Sequence, residues 1–302
     1  MSDFLAIAEL PGEDLRHLVV RAEVVKREPE VVRDRLRGVR VGLFFMKPST
    51  RTRVSAEVAT YELGGLPVVL KDEEVGLGRR ESREDVARVL DRYLDVLAMR
   101  VFDHSDLDVL ARHARAPVVN LLSDLEHPCQ ALADLQTIAE ARPLPGTVLA
   151  YLGDGNNVCH SLMVGAAMSG MTVRVATPPG YEPRPDYQEL AARIAKEQGG
   201  EALVTSDPHL ALEGAHVVYT DVWASMGQER EAEGRRGVFH AYQVDEAALE
   251  RAEPDAIFLH CLPAHRGEEV TAGVMEHPRS RVFDQAENRL HAFKALLLHL
   301  LE

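Results

Sequence analysis

Cysteine is scarce in this 302-residue chain: Cys129, Cys159 and Cys261 are three, an odd and sparse set that makes no disulfide framework. Such usage predicts reduced thiols and a cytoplasmic location. Positive charge is also short, with 34 basic against 48 acidic residues and a net charge of -14. That surface repels nucleic acid, and no dense Lys/Arg block offsets it. No apolar run reaches the roughly 18 residues of a membrane span. The opening segment MSDFLAIAEL has neither a basic n-region nor a cleavage site, which argues against secretion. Lysine is the rarer base, five against 29 arginines, a bias that codon usage accounts for more simply than selection for heat-stable ion pairs. An anionic ligand must therefore be captured by a few well-placed arginines. What remains is a globular composition, 46% hydrophobic and 27% charged, at a length that suits two domains.

Short β-branched runs alternate with amphipathic stretches, and no internal repeat or low-complexity segment interrupts them. The strand-like runs are Val39–Met46, Val68–Leu70, Val96–Val101, Pro117–Leu122, Thr147–Leu152, Thr172–Ala176, Ala202–Thr205, His216–Thr220 and Ala256–Leu259. Several are apolar without alternation, as strands buried on both faces must be. Helices are expected over Thr52–Leu63, Glu84–Leu94, Pro128–Glu140, Val158–Ser169, Tyr187–Lys196 and Ala286–Leu301. The pattern predicts an α/β protein of two domains, each a mostly parallel sheet flanked by helices. The Pro- and Gly-rich exit Ala141-Arg-Pro-Leu-Pro-Gly146 marks a boundary between them.

Five stretches carry polar groups where a strand gives way to a helix or loop. Ser49-Thr-Arg-Thr-Arg53 follows a buried strand and opens a helix, so hydroxyls, guanidinium groups and free N–H donors add up to a phosphate site. A plain N-cap with two surface arginines is the bland alternative; the position beyond a buried strand favours the site. His127-Pro-Cys-Gln130 sets an imidazole and an amide one turn apart at a helix entry, where both can polarise a carbonyl oxygen. Gly153-Asp-Gly-Asn-Asn157 imitates a dinucleotide fingerprint, but Val158 occupies the third glycine position and Ala176-Thr-Pro-Pro179 supplies no acidic partner. Asn157 is better read as a polar group facing the crevice. Asp221 precedes a small-residue loop with the sole tryptophan, Trp223, and its carboxylate can hold an ammonium group. His260-Cys-Leu-Pro-Ala-His-Arg266 puts Cys261 at a strand tip. The stretch lacks a second paired ligand set for zinc, so no metal and no cofactor are expected.

Taken together, the five segments resemble the aspartate/ornithine carbamoyltransferase family, in family order across nearly the whole chain. Asp221 with Ser225-Met-Gly227, and His260-Cys-Leu-Pro263, are similar to the ornithine branch in particular. The resemblance implies transfer of the carbamoyl group from carbamoyl phosphate to the side-chain amine of L-ornithine, giving L-citrulline and phosphate, in arginine biosynthesis or its reverse. It implies a carbamoyl-phosphate domain over residues 1–130, an ornithine domain over 131–285, and a last helix, 286–302, returning to the first. A homotrimer or a multiple of trimers is implied too, with no nucleic-acid or membrane partner. Carried over by position, Ser49, Thr50, Arg51, Thr52, Arg100, His127, Gln130, Cys261, Leu262 and Arg289 would hold carbamoyl phosphate. Asn157, Asp221, Ser225 and Met226 would hold ornithine, and Asp221, Cys261, Arg100 and His127 would be catalytic. The Leu262–Pro263 bond is expected to be cis. Where the family often carries a Gln that reaches a neighbouring subunit, Lys71–Ser82 contains none.

Overall fold

The computed structural model describes residues 3–224 and 232–302, which form two compact units. The first runs from the amino terminus to Gln136 and includes Glu287–Glu302; the second is Thr137–Ala286. The first division falls inside the helix Pro128–Ala141, the second inside the helix Val282–Leu301.

In the first unit, β1 (Arg40–Phe45), β2 (Leu66–Lys71), β3 (Val96–Arg100) and β4 (Val118–Leu122) form a wholly parallel sheet in the order β2-β1-β3-β4. The inner strands are nearly uninterrupted apolar runs because helices cover both faces. All five residues of β3 are buried, including Arg100 at its tip. At the edge, β2 is only half-buried and contains Pro67, which an edge strand tolerates because one row of its N–H groups has no sheet partner. Phe44, Leu97, Met99, Val86, Leu107 and Leu110 meet in the core beneath the covering helices.

In the second unit, β5 (Val148–Leu152), β6 (Thr172–Ala176), β7 (Ala202–Thr205), β8 (Val217–Thr220) and β9 (Ile257–His260) are parallel in the order β7-β6-β5-β8-β9. The helix Asn157–Met168 is buried on every side from Val158 onward, which fits its apolar composition. Asn156 caps it, its Oδ1 accepting from the N–H groups of Val158 (3.0 Å) and Cys159 (3.1 Å).

All nine expected strands are present, and so are the six expected helices, with ends shifted by a few residues. The last begins at Val282 rather than Ala286. The helices Gly12–Arg27 and His104–His113 and several short ones were not expected. The Leu262–Pro263 bond is cis. Among the described residues, no helix is long and apolar enough to cross a membrane.

The order of each sheet reverses once: β1 has β2 on one side and β3 on the other, and β5 has β6 and β8. Loops leaving the carboxyl ends of strands part at such a point and leave a crevice. In Gly153-Asp-Gly-Asn-Asn157, Gly155 is required by a close approach of two main chains. A Cβ at Gly155 would lie 2.2 Å from the Pro183 nitrogen and 2.4 Å from the Glu182 carbonyl carbon, both backbone atoms. Gly155→Ala must push two main chains apart and is expected to cost about 1–3 kcal/mol, read as a lower urea midpoint.

Candidate active-site groups

In the first unit the crevice lies between the carboxyl ends of β1 and β3, where Phe45 and Arg100 are register partners. The chain leaves β1 through Met46–Ser49 and enters the helix Thr50–Glu62. Ser49 is its N-cap, Oγ accepting from the Thr52 N–H at 3.4 Å. Thr50, Arg51 and Thr52 form the first turn, whose N–H groups mostly lack intrahelical acceptors. Of the two arginines here, Arg53 turns to solvent and pairs with Glu57 at 2.5 Å, whereas Arg51 is half-buried.

Residues far apart in the chain meet this turn. Arg289, on the helix Val282–Leu301, donates from Nη2 to Thr52 Oγ1 (3.2 Å) and from Nη1 to Gln130 Oε1 (2.5 Å). Gln130 in turn donates from Nε2 to Asp134 Oδ1 at 2.7 Å, which fixes which end of its amide faces the arginine. Thr52, Arg100, His127, Gln130 and Arg289 are all buried. His127 opens the helix Pro128–Ala141, with proline at the first helical position where its missing N–H costs nothing. Burial drives the His127 pKa well below its ordinary 6.5, and the charges of Arg289, Arg100 and Arg51 push it the same way. The imidazole is therefore neutral at physiological pH, one nitrogen a donor and the other an acceptor. Two residues on, Cys129 is no reactive thiol. Burial pushes its pKa up to about 12, and Sγ donates to the Asn120 carbonyl (3.4 Å).

The second unit's crevice lies between β5 and β8. Asp221, the residue after β8, is buried and accepts one bond on each carboxylate oxygen. Oδ2 accepts from Asn156 Nδ2 (2.8 Å) and Oδ1 from Cys261 Sγ (2.9 Å). Both donors are uncharged groups, and a buried carboxylate held in this way can attract an ammonium group. Asn156 went unnoticed in the sequence because the adjacent Asn157 presents the same amide; the cap position distinguishes them. Asn157 is half-buried, and its Oδ1 lies 3.0 Å from the Val158 N–H.

Cys261 and Leu262 are half-buried at the end of β9, held by a chain of bonds that starts at a buried carboxylate. Glu269 Oε1 lies 3.1 Å from His260 Nε2, and His260 Nδ1 accepts the Leu262 N–H at 2.8 Å. These partners assign the proton of the ring to Nε2. Glu269 stays ionised: burial alone would raise its pKa, but the His260 hydrogen bond and the His265 N–H bring it below its ordinary 4.5.

Asp221, His260 and Cys261 bring ligand-type atoms within 4.8 Å of one another, as do His265, Glu268 and Glu269. In the first set both His260 nitrogens are already engaged. In the second, Arg236 holds Glu268 at 2.6 Å and Glu269 is committed to His260, so neither set suits a metal without rearrangement. Ser225 and Met226, with Gly227, lie outside the described residues. In Lys71–Ser82, Arg79 pairs with Asp72, and no residue there is singled out for a shared site.

Residues 2–140 match the family description "Aspartate/ornithine carbamoyltransferase, carbamoyl-P binding domain", and residues 145–300 match "Aspartate/ornithine carbamoyltransferase, Asp/Orn binding domain". The ornithine carbamoyltransferase of a Synechocystis species is 53% identical over 300 residues, which cover 99% of this chain and 96% of that one. That of a Parafrankia species is 54% identical over 303 residues, with the same coverage. The solved ornithine carbamoyltransferase from Pyrococcus furiosus superimposes with a TM-score of 0.95 at 48% identity, over 98% of this chain and 96% of that one. Matched along both units at such identity, the chain belongs to the aspartate/ornithine carbamoyltransferase family.

Proposed function

We propose that the chain transfers the carbamoyl group of carbamoyl phosphate to the side-chain amine of L-ornithine, forming L-citrulline and phosphate, in arginine biosynthesis or its reverse. The observation that carries this reading is Arg289 bonded at once to Thr52 and Gln130, beside a helix N-terminus and a neutral His127. That is an anion pocket with a carbonyl-polarising edge, as carbamoyl phosphate requires. Its phosphate takes the first-turn N–H groups of Thr50–Thr52, the Ser49 hydroxyl and Arg51, and its carbonyl oxygen takes Thr52, Arg100 and His127. Because His127 is neutral, it donates one hydrogen bond without adding a fourth positive charge.

The attacking amine resembles that of Lys, with an ordinary pKa of about 10.4, so freeing its lone pair at pH near 7.5 costs roughly 4 kcal/mol. Asp221, with its oxygens turned by Asn156 and Cys261, receives the ammonium form and orients it. One proton leaves to the Asp221–Cys261 pair and frees the lone pair; the second, shed by nitrogen once it has bonded to carbon, goes to the departing phosphate, which leaves as hydrogen phosphate. The nitrogen then bonds to the carbonyl carbon, negative charge gathers on the oxygen, and Thr52, Arg100 and His127 stabilise it. The C–O bond to phosphate breaks, and Arg51 and Arg289 hold the leaving dianion. Leu262 belongs to the same reacting centre, and Asn157, Ser225 and Met226 to the amino-acid end of ornithine.

A homotrimer, or a multiple of one, is part of this proposal. The helix Thr50–Glu62 exposes Val54 (53%), Val58 (37%) and Tyr61 (75%) at i, i+4 and i+7, with Leu66 beyond its end. Such a stripe is expected to be covered in an assembly. A cytoplasmic location fits the sparse cysteines.

Supplied with carbamoyl phosphate and, in parallel, ornithine, N-acetylornithine, putrescine or aspartate, the chain is expected to yield product from ornithine alone. Product only from another amine would reject the acceptor and leave the carbamoyl-phosphate half standing. Arg51→Ala should weaken carbamoyl-phosphate binding roughly 10- to 100-fold in calorimetry; near-normal affinity would remove Arg51 from the phosphate site. Light scattering should report three chains or a multiple, and Tyr61→Arg should shift the mass toward one chain. An unaltered mass in that variant would take this helix out of the interface.

A further inference from the structure

One buried ion pair stands apart from every group given a role above. Arg235, on the helix Ala232–Phe239, is 7% exposed and donates from Nη1 to Asp154 Oδ2 (3.0 Å) and to the Trp223 carbonyl (2.8 Å). Its guanidinium lies over the Tyr181 ring, 4.9 Å from the centroid, and Trp223 stacks on Phe239. Asp154 is two residues before Asn156 in the loop leaving β5, and Trp223 is two residues after Asp221 in the loop leaving β8. A single guanidinium nitrogen thus ties together the two loops that supply the two ends of the Asn156–Asp221 hydrogen bond. The Asp154 backbone is locked to the same asparagine: its carbonyl accepts from the Tyr151 hydroxyl (2.9 Å) and from the Asn156 N–H (2.8 Å). The Tyr151 hydroxyl also lies 3.4 Å from Asn156 Oδ1.

Burying two charges is expensive, and apolar residues of similar volume are often as stable, so stability alone is a weak reason for such a pair. Its placement gives a stronger one. We propose that Arg235 and Asp154 are positioning residues for the amino-acid acceptor, setting the separation and alignment of Asn156 and Asp221 without touching either substrate. The inference rests on the assignment of Asp221 to the ornithine amine. A purely structural pair would change the melting temperature and leave the kinetics of folded protein alone; a positioning pair acts on ornithine selectively, because Ser49–Thr52, Arg100, His127, Gln130 and Arg289, which are assigned to the phosphate and carbonyl of the donor, belong to the other unit.

The test compares wild type with Arg235→Met, Arg235→Lys and the double variant Asp154→Leu/Arg235→Met, which leaves no single buried charge behind. Ornithine kinetics at saturating carbamoyl phosphate are measured beside carbamoyl-phosphate affinity by calorimetry and thermal melting. In Arg235→Met and the double variant, kcat/KM for ornithine is expected to fall roughly 10- to 100-fold while carbamoyl-phosphate affinity holds. Arg235→Lys, whose ammonium can still donate to both Asp154 and Trp223, should recover most of the loss. Should Arg235→Met fail to fold, Arg235→Lys and the double variant decide. A folded double variant with wild-type ornithine kinetics, or a loss shared equally by carbamoyl phosphate, overturns the inference. A wild-type chain that makes no citrulline overturns the proposed reaction first, and this inference with it.

Discussion

Each sheet grows outward from an inner strand, β1 in one unit and β5 in the other, which takes neighbours on both sides. Helices on the two faces diverge there, and the loops beyond the strand ends cannot close over the gap. The chemically distinctive groups hang from those ends. In the first unit they are Ser49–Thr52 and Arg100; in the second they are Asp154–Asn156 and Asp221. Shifting the register of either inner strand would carry these residues away from their partners, so strand packing and site geometry are one constraint.

Electrostatics sharpen what topology begins. The chain carries a net charge of -14, yet Arg51, Arg100 and Arg289 all act on the buried His127. Crowding like charges inside a protein is unfavourable unless something negative shares the space. Under the proposed reaction an incoming phosphate supplies that charge, and the neutral imidazole remains a dipole. The second unit inverts the arrangement, with a carboxylate set among neutral donors. Under the proposed reaction, each unit thus offers its substrate the opposite sign of charge.

The strands were readable because burial on both faces leaves an unbroken apolar run that few other structures need. Asp221 and Cys261 were readable for a related reason, each standing directly where such a run stops, while Ser49 and His127 open the helices that follow β1 and β4. The helix Gly12–Arg27 was obscured by Val19, Val20, Val24 and Val25, whose β-branched pairs blur its period. Asn156 was hidden by an identical neighbour, since only the capping geometry tells which amide turns toward Asp221. Arg235 was hardest to see. It sits in Glu229-Arg-Glu-Ala-Glu-Gly-Arg-Arg236, a run that looks like solvated surface, and its burial depends on Asp154, some eighty residues earlier. Contacts of that range leave no local pattern.

The cations whose charge acts on His127, those of Arg51, Arg100 and Arg289, are guanidinium groups, and this has a chemical consequence beyond binding. A lysine in the same place would offer its own amine to an activated carbamoyl donor, and a site crowded with positive charge would encourage that amine to lose its proton. Arginine stays protonated throughout the range in which proteins fold and offers no comparable lone pair. Under the proposed reaction, a pocket so built is chemically inert toward the reagent it activates and is spared gradual self-modification over many turnovers.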